Sequence, residues 1–168
     1  PLRVGSSRKF VLDALDLVVR YLDYMPRSWR EAPPATSGRP PAAGKAIDEI
    51  IPAEQNRVFD MYRVIDRLVD EGSFFEIKRL FAPEPITGLA RLDGRSVAVL
   101  ANDPYFYAGG WTADASRKVE RFVDLAETFH LPVVHFVDNP GFVIGTAAEH
   151  AGTIRHGARA LAAIYQAS

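Results

Sequence analysis

The stretch that most constrains the fold is 131–145, which reads Leu-Pro-Val-Val-His-Phe-Val-Asp-Asn-Pro-Gly-Phe-Val-Ile-Gly. A strand-sized apolar run, 133–137, passes at once into a glycine-bearing loop, and a helical pattern follows. Near-continuous apolarity predicts a strand covered on both faces. In the loop, Pro140 fixes one φ angle and Gly141 can take a conformation closed to other residues. Phe142 can wedge against apolar neighbours, and Gly145 permits a second sharp turn. Such a loop can aim consecutive N–H groups at a developing oxyanion. The same residues also fit an ordinary strand-to-helix turn.

Upstream, apolar residues at Val11, Leu15, Val18, Val19 and Leu22 recur at the helical period, so a helix is expected over 6–24, with Pro26 ending it. The Pro/Ala/Gly-rich stretch 30–46 reads as a linker or draped loop, or else as a polyproline recognition segment. Asp60 can cap a helix carrying Met61, Val64, Ile65, Leu68 and Val69 on one face. Its other face, with Asp66, Asp70 and Glu71, is expected in solvent, and Gly72 is a natural stop. Phe74, Phe75 and Ile77 suggest a short strand.

Residues 86–92 and 96–101 read as two strands joined at Asp93-Gly94, the strongest hairpin signal in the chain. An aromatic connection, 105–111, leads to a helix over 114–129. Asp114 is its expected cap, with Val119, Phe122, Val123, Ala126 and Phe129 inward. After the loop a single last helix runs through Ile154, Ala158, Leu161, Ala162 and Tyr165. Hairpin, helix, strand, loop and helix make an α/β layout. The expected division is a helical inter-domain segment at 1–29, a linker at 30–46 and a domain at 47–168.

Composition bounds the function. An apolar content of 48% with 24% charged residues is that of an ordinary soluble globular protein. A formal net charge of −1 without a dense Lys/Arg cluster argues against nucleic acid as a partner. No apolar run approaches the roughly 20 residues of a membrane span, so no membrane partner is expected. Zero cysteines exclude a disulfide scaffold, a thiolate metal site and a cysteine nucleophile. The cytoplasm is the expected compartment. Pro1 is not an initiator Met, and the chain stops directly after a helix where an α/β unit calls for a strand, so a fragment is expected.

Side-chain chemistry is thin. His135 lies within the apolar run and reads as a satisfied core histidine; His130 sits at a helix end, where a cation is welcome. His150 and His156, six apart, do not share a helix face, and no HExxH motif occurs, so no metal is expected. Neither a GxSxG elbow nor a GxxxxGK[ST] phosphate loop is present.

The motifs that remain are longer. They are Ala101-Asn102-Asp103-Pro104, Ala108-Gly109, Asp114-Ala115-Ser116-Arg117-Lys118, Arg121-Phe122, Leu131-Pro132-Val133-Val134, Phe136-Val137-Asp138 and Pro140-Gly141-Phe142. To these add Gly145, Glu149-His150 and the run from Gly152 to Arg159. Asp60-Met61, Val64-Ile65, Val69-Asp70 and Phe74-Phe75-Glu76 extend the pattern upstream. On these residues the chain, from about Ile50 onward, resembles the C-terminal half of the carboxyltransferase (β) subunits of biotin-dependent acyl-CoA carboxylases, of the propionyl-CoA/acetyl-CoA carboxylase type.

The resemblance implies an α/β, crotonase-like (ClpP/crotonase) carboxyltransferase domain, here incomplete, two such domains per full subunit, and a hexameric homo-oligomer. It implies transfer of a carboxyl group from carboxybiotin on a separate carrier to the α-carbon of an acyl-CoA, with backbone amides holding two oxyanions. A biotin carboxylase/biotin carrier subunit is the implied partner. Gly141, Phe142 and Gly145 match the catalytic backbone loop; Pro140, Ala108 and Gly109 match the biotin-binding side. Two departures stand out: Asn139 precedes the Pro-Gly-Phe in place of Val or Thr, and Gly110-Trp111-Thr112 replaces a more apolar tripeptide. The family's following strand and its Gly-Gly-Ala-Tyr segment are expected just beyond Ser168, so the 168-residue piece alone is expected to be inactive. The rival readings are a biotin-dependent decarboxylase or transcarboxylase subunit, and a non-catalytic assembly module on the same fold.

Overall fold

The computed structural model describes residues 4–54 and 57–167, with side-chain surroundings from residue 11 onward. Its helices are α1 (Val4–Leu22), α2 (Ile47–Ile50), α3 (Met61–Asp66), α4 (Ala113–Thr128), α5 (Thr146–Ala151) and α6 (Thr153–Gln166). Its strands are β1 (Phe75–Glu76), β2 (Pro85–Leu92), β3 (Arg95–Asn102) and β4 (Val133–Phe136). They form one sheet in the order β1-β2-β3-β4, antiparallel except for the parallel pair β3 and β4.

The hairpin between β2 and β3 follows its turn chemistry. Asp93 and Gly94 take φ of 49° and 77°, the double positive φ of a type I′ turn. The Asp70 carboxylate accepts from the amides of Asp93 and Gly94, both at 2.8 Å, and of Arg39 at 3.2 Å. Asp70 is therefore buried rather than solvated, because α3 ends at Asp66 and the chain has already turned. Asp60 caps α3 as expected, accepting from the Tyr62 amide. The 30–46 stretch lies across the same turn: Ala35 bridges Arg95, Pro41 bridges Asp70, and the Thr36 amide donates to the Gly94 carbonyl at 2.9 Å.

Strand alternation builds two cores. Leu89, Ala98 and Leu100 pack with Trp111, Ala115, Val119, Phe122, Val123 and Ala126 beneath α4. Ile86, Ala90, Val97, Val99 and Ala101 pack with Met61, Val64, Ile65 and Val69 on the opposite face. Buried on both faces, β2 and β3 are the centre of the molecule.

Five further expectations are corrected. Asp114 does not cap α4; Thr112 does, its hydroxyl oxygen accepting from the Ala115 amide at 3.1 Å, while Asp114 pairs with Arg117 at 2.6 Å. The last helix is two, broken where Gly152 takes φ 73°. The inward face of α6 is Thr153, Gly157 and Ala160, while Ile154, Leu161 and Tyr165 point outward, because α6 approaches closely enough that only small residues fit. β4 is half-buried, and Val137 is exposed, because among the described residues β4 pairs on one side only. His130 bonds the Trp29 carbonyl at 2.8 Å, rather than the last carbonyls of α4.

Candidate functional site

Because β3 and β4 are parallel, their carboxyl ends lie side by side, and the segments leaving them meet. That is where ligands bind in many α/β sheets. Three consecutive residues leaving β3 are left-handed: Tyr107 (φ 49°), Ala108 (52°) and Gly109 (82°). Gly109 is pressed against the chain leaving β4 so closely that a Cβ there would fall on the Asp138 carbonyl oxygen. At Gly110 a Cβ would stand 3.4 Å from the Gly141 carbonyl oxygen and 3.7 Å from the Pro140 ring. Trp111 and Phe142 then form a parallel bridge. The Trp111 amide donates to the Gly141 carbonyl, the Val143 amide donates to the Trp111 carbonyl, and both bonds are 3.0 Å.

These bonds sort the loop amides. The Gly141 amide is taken by the Asn139 carboxamide oxygen at 2.6 Å, and that of Val143 by Trp111. The Phe142 amide makes no hydrogen bond among the described residues. Gly141 and Gly145 take φ of 129° and 118°, and a Cβ at either would meet nothing within 4 Å. The backbone here is open to a ligand.

The Phe142 side chain anchors the loop from behind. Its Cε1 lies 2.5 Å from where a Cβ on Gly157 would stand, and its ring meets Trp111 edge-on at 6.2 Å. Trp111 in turn stacks on His135 at 6.4 Å. The His135 Nε2 and Trp111 Nε1 are both buried without a hydrogen-bond partner among the described residues. His135 is therefore not the satisfied core residue expected, and burial pushes its pKa below the ordinary value, which favours the neutral ring.

Two grooves of about 540 Å³ flank the loop. One is lined by Tyr107, Thr112, Arg117, Val143 and His150. Arg57, Phe59, Pro104, Ala108 and Asp138 line the other. Beside the second, burial raises the Asp103 pKa above the usual carboxylate value, while the Tyr105 amide it accepts works against that rise.

The structure thus brings together Ala108, Gly109, Pro140, Gly141 and Phe142. Gly145 ends the loop, at the start of α5. The sequence placed Asn102 in a matching motif without giving it a role, and gave Trp111 and Asn139 no part in the loop's geometry. The available signals were an asparagine ending an apolar strand, and the two departures already noted. Among the described residues, no group of three His, Asp or Glu is placed to hold a metal ion.

Residues 9–168 match the family model described as the carboxyl transferase domain. The chain belongs to the carboxyl transferase domain family. Its fold is the crotonase-like α/β fold of such subunits, here over part of the domain. This carboxyl transferase segment is 44% identical over 157 residues to an uncharacterised carboxylase, YngE, of Bacillus subtilis, covering 93% of this chain and 31% of that protein. It is 40% identical over 159 residues to the propionyl-CoA carboxylase beta chain of Roseobacter denitrificans, covering 94% and 31%. Among solved structures, the transcarboxylase 12S hexamer core with methylmalonyl-CoA bound superposes with a TM-score of 0.84 at 32% identity, over 90% of this chain and 30% of that one. The chain spans about a third of the length of these relatives. No helix among its described residues is long and apolar enough to cross a membrane.

Proposed function

We propose that this segment is the biotin-side part of a cytoplasmic acyl-CoA carboxylase carboxyltransferase, acting on a short acyl-CoA such as propionyl- or acetyl-CoA. The observation that carries the reading is the Phe142 amide, unpaired among the described residues while the amides on either side of it, those of Gly141 and Val143, are both taken. When bound, biotin supplies the carboxyl group and a ureido oxygen that gains negative charge as that group leaves. The residues present fit such a group: Gly141 and Gly145 leave open space above the backbone, and the Phe142 amide is unpaired.

The Phe142 N–H is the proposed donor to the developing oxyanion, a role in which one amide can contribute about 3 kcal/mol. Asn139 holds the Gly141 peptide plane, and the Trp111 bridge fixes the next one, so little reorganisation remains at the moment of reaction. Pro140, Ala108 and Gly109 form the wall on which biotin rests. In this reading no side-chain base is required of the segment. A biotin carboxylase with its carrier, and further copies of the subunit, are the proposed partners.

The test is carboxyl transfer from carboxybiotin to propionyl-CoA by the intact subunit carrying this segment, compared with its Gly141→Pro variant. Proline cannot take φ 129° and lacks the N–H that Asn139 accepts, so a loss of at least 100-fold with the fold retained is expected. Near-normal turnover of the variant sinks the assignment. The likeness to the transcarboxylase core favours a second reading, the same site run in the other direction, from a carboxylated acyl-CoA to biotin. Transfer from methylmalonyl-CoA to biotin faster than the forward direction would select it.

A further inference from the structure

The two site segments are joined by one side chain that belongs to neither. Asn102 is the last residue of β3 and has no exposed surface. Its Nδ2 donates to the Gly109 carbonyl at 3.1 Å, and its Oδ1 accepts from the Asp138 amide at 3.3 Å. A single carboxamide therefore fixes a carbonyl in the left-handed turn and an N–H at the root of the loop. The turn needs such a hold, since two of its three left-handed residues, Tyr107 and Ala108, carry side chains and are strained there. The Trp111–Phe142 bridge sets the register further along. At the turn itself Gly109 only rests against the Asp138 carbonyl.

We propose that Asn102 is a positioning residue for carboxyl transfer: its buried carboxamide locks the 107–110 turn against the 138–145 loop and so aims the Phe142 amide. This rests on the functional reading above. Only a group with a donor and an acceptor on one planar end can serve both partners. Aspartate keeps the acceptor for Asp138 but turns an anionic oxygen toward the Gly109 carbonyl. Serine is too short to reach both.

The experiment uses the intact subunit and its Asn102→Asp and Asn102→Ser variants. It measures kcat, KM for acyl-CoA and for the biotin substrate, the thermal midpoint, and amide hydrogen exchange at Asp138 and Val143, whose amides are both hydrogen-bonded. The expected result in both variants is a kcat at least 30-fold lower, with both KM values within threefold. Exchange at the two amides should be at least tenfold faster, by more than the fall in the thermal midpoint accounts for. A folded variant with kcat within threefold of the parent overturns the proposal. Failure of both variants to fold overturns it too, since the residue then supports the fold rather than the site. An inactive parent would sink the functional reading instead, and the exchange measurement would still decide whether Asn102 sets the loop.

Discussion

Lys118 shows how far a single residue departs from its expected environment. Its side chain is 1% exposed, and its Nζ donates to the carbonyls of Pro85 at 2.7 Å and Ala82 at 3.1 Å. Burial lowers its pKa to about 8 from 10.5, although Glu76 and Glu84 nearby favour the charged form. The ammonium therefore joins α4 to the entry of β2 at an electrostatic cost. With a folded pKa below the unfolded one, the unfolded chain holds the proton more tightly, so stability rises with pH through the window from about 8 to 10.5. At ~1.4 kcal/mol per tenfold, the full span is worth about 3 kcal/mol. Lys118→Met removes the titration and leaves two carbonyls unpaired. The prediction is that urea midpoints of parent and variant diverge in the parent's favour between pH 7 and 9.5. A pH-independent difference would contradict it.

Among the elements, α4 carries the most consequence, since its first turn follows directly on Trp111. Thr112 is both its cap and the residue after the Trp111–Phe142 bridge. Thr112→Ala should cost about 1 kcal/mol in chemical denaturation. Asp114→Asn, which removes only an exposed ion pair, should stay within about 0.5 kcal/mol. Equal losses for the two would mean that the cap contributes nothing. Some elements were legible in advance because their signals are local. Asp93-Gly94 announces its own turn, and Asp60 its own helix start. α6 was not, because Ile154, Leu161 and Tyr165 form a stripe as convincing as any core face. The buried face is the one with Gly157 and Ala160, chosen by the Phe142 ring that must fit against it.

At the scale of the whole molecule, α1 and α6 leave apolar stripes uncovered. Val11, Leu12, Leu15, Val18, Val19 and Leu22 on α1 are each more than half exposed, and Ile154 and Tyr165 extend the pattern on α6. Stripes of this size mark contact surfaces. The 168-residue chain by itself should associate as its concentration rises, by sedimentation velocity. Leu15→Lys combined with Val19→Lys should shift it toward the monomer without loss of helix signal. An unchanged sedimentation profile would show that α1 does not mediate the association.

The candidate site divides along the same line. A strand followed by a proline-glycine loop could be read from 133–145 alone, because side-chain period and glycine conformation are properties of neighbours in sequence. That Pro140, Gly141 and Phe142 lie in one such loop could be read as well. Which of its amides are taken could not. That depends on Asn139 taking the Gly141 N–H, on Trp111 pairing with Val143, and on Asn102 reaching both segments from the end of β3. Periodicity and turn chemistry are local and survive in the bare sequence. Hydrogen-bond partnership between residues 36 apart exists only once the parallel pairing of β3 and β4 has brought their ends together.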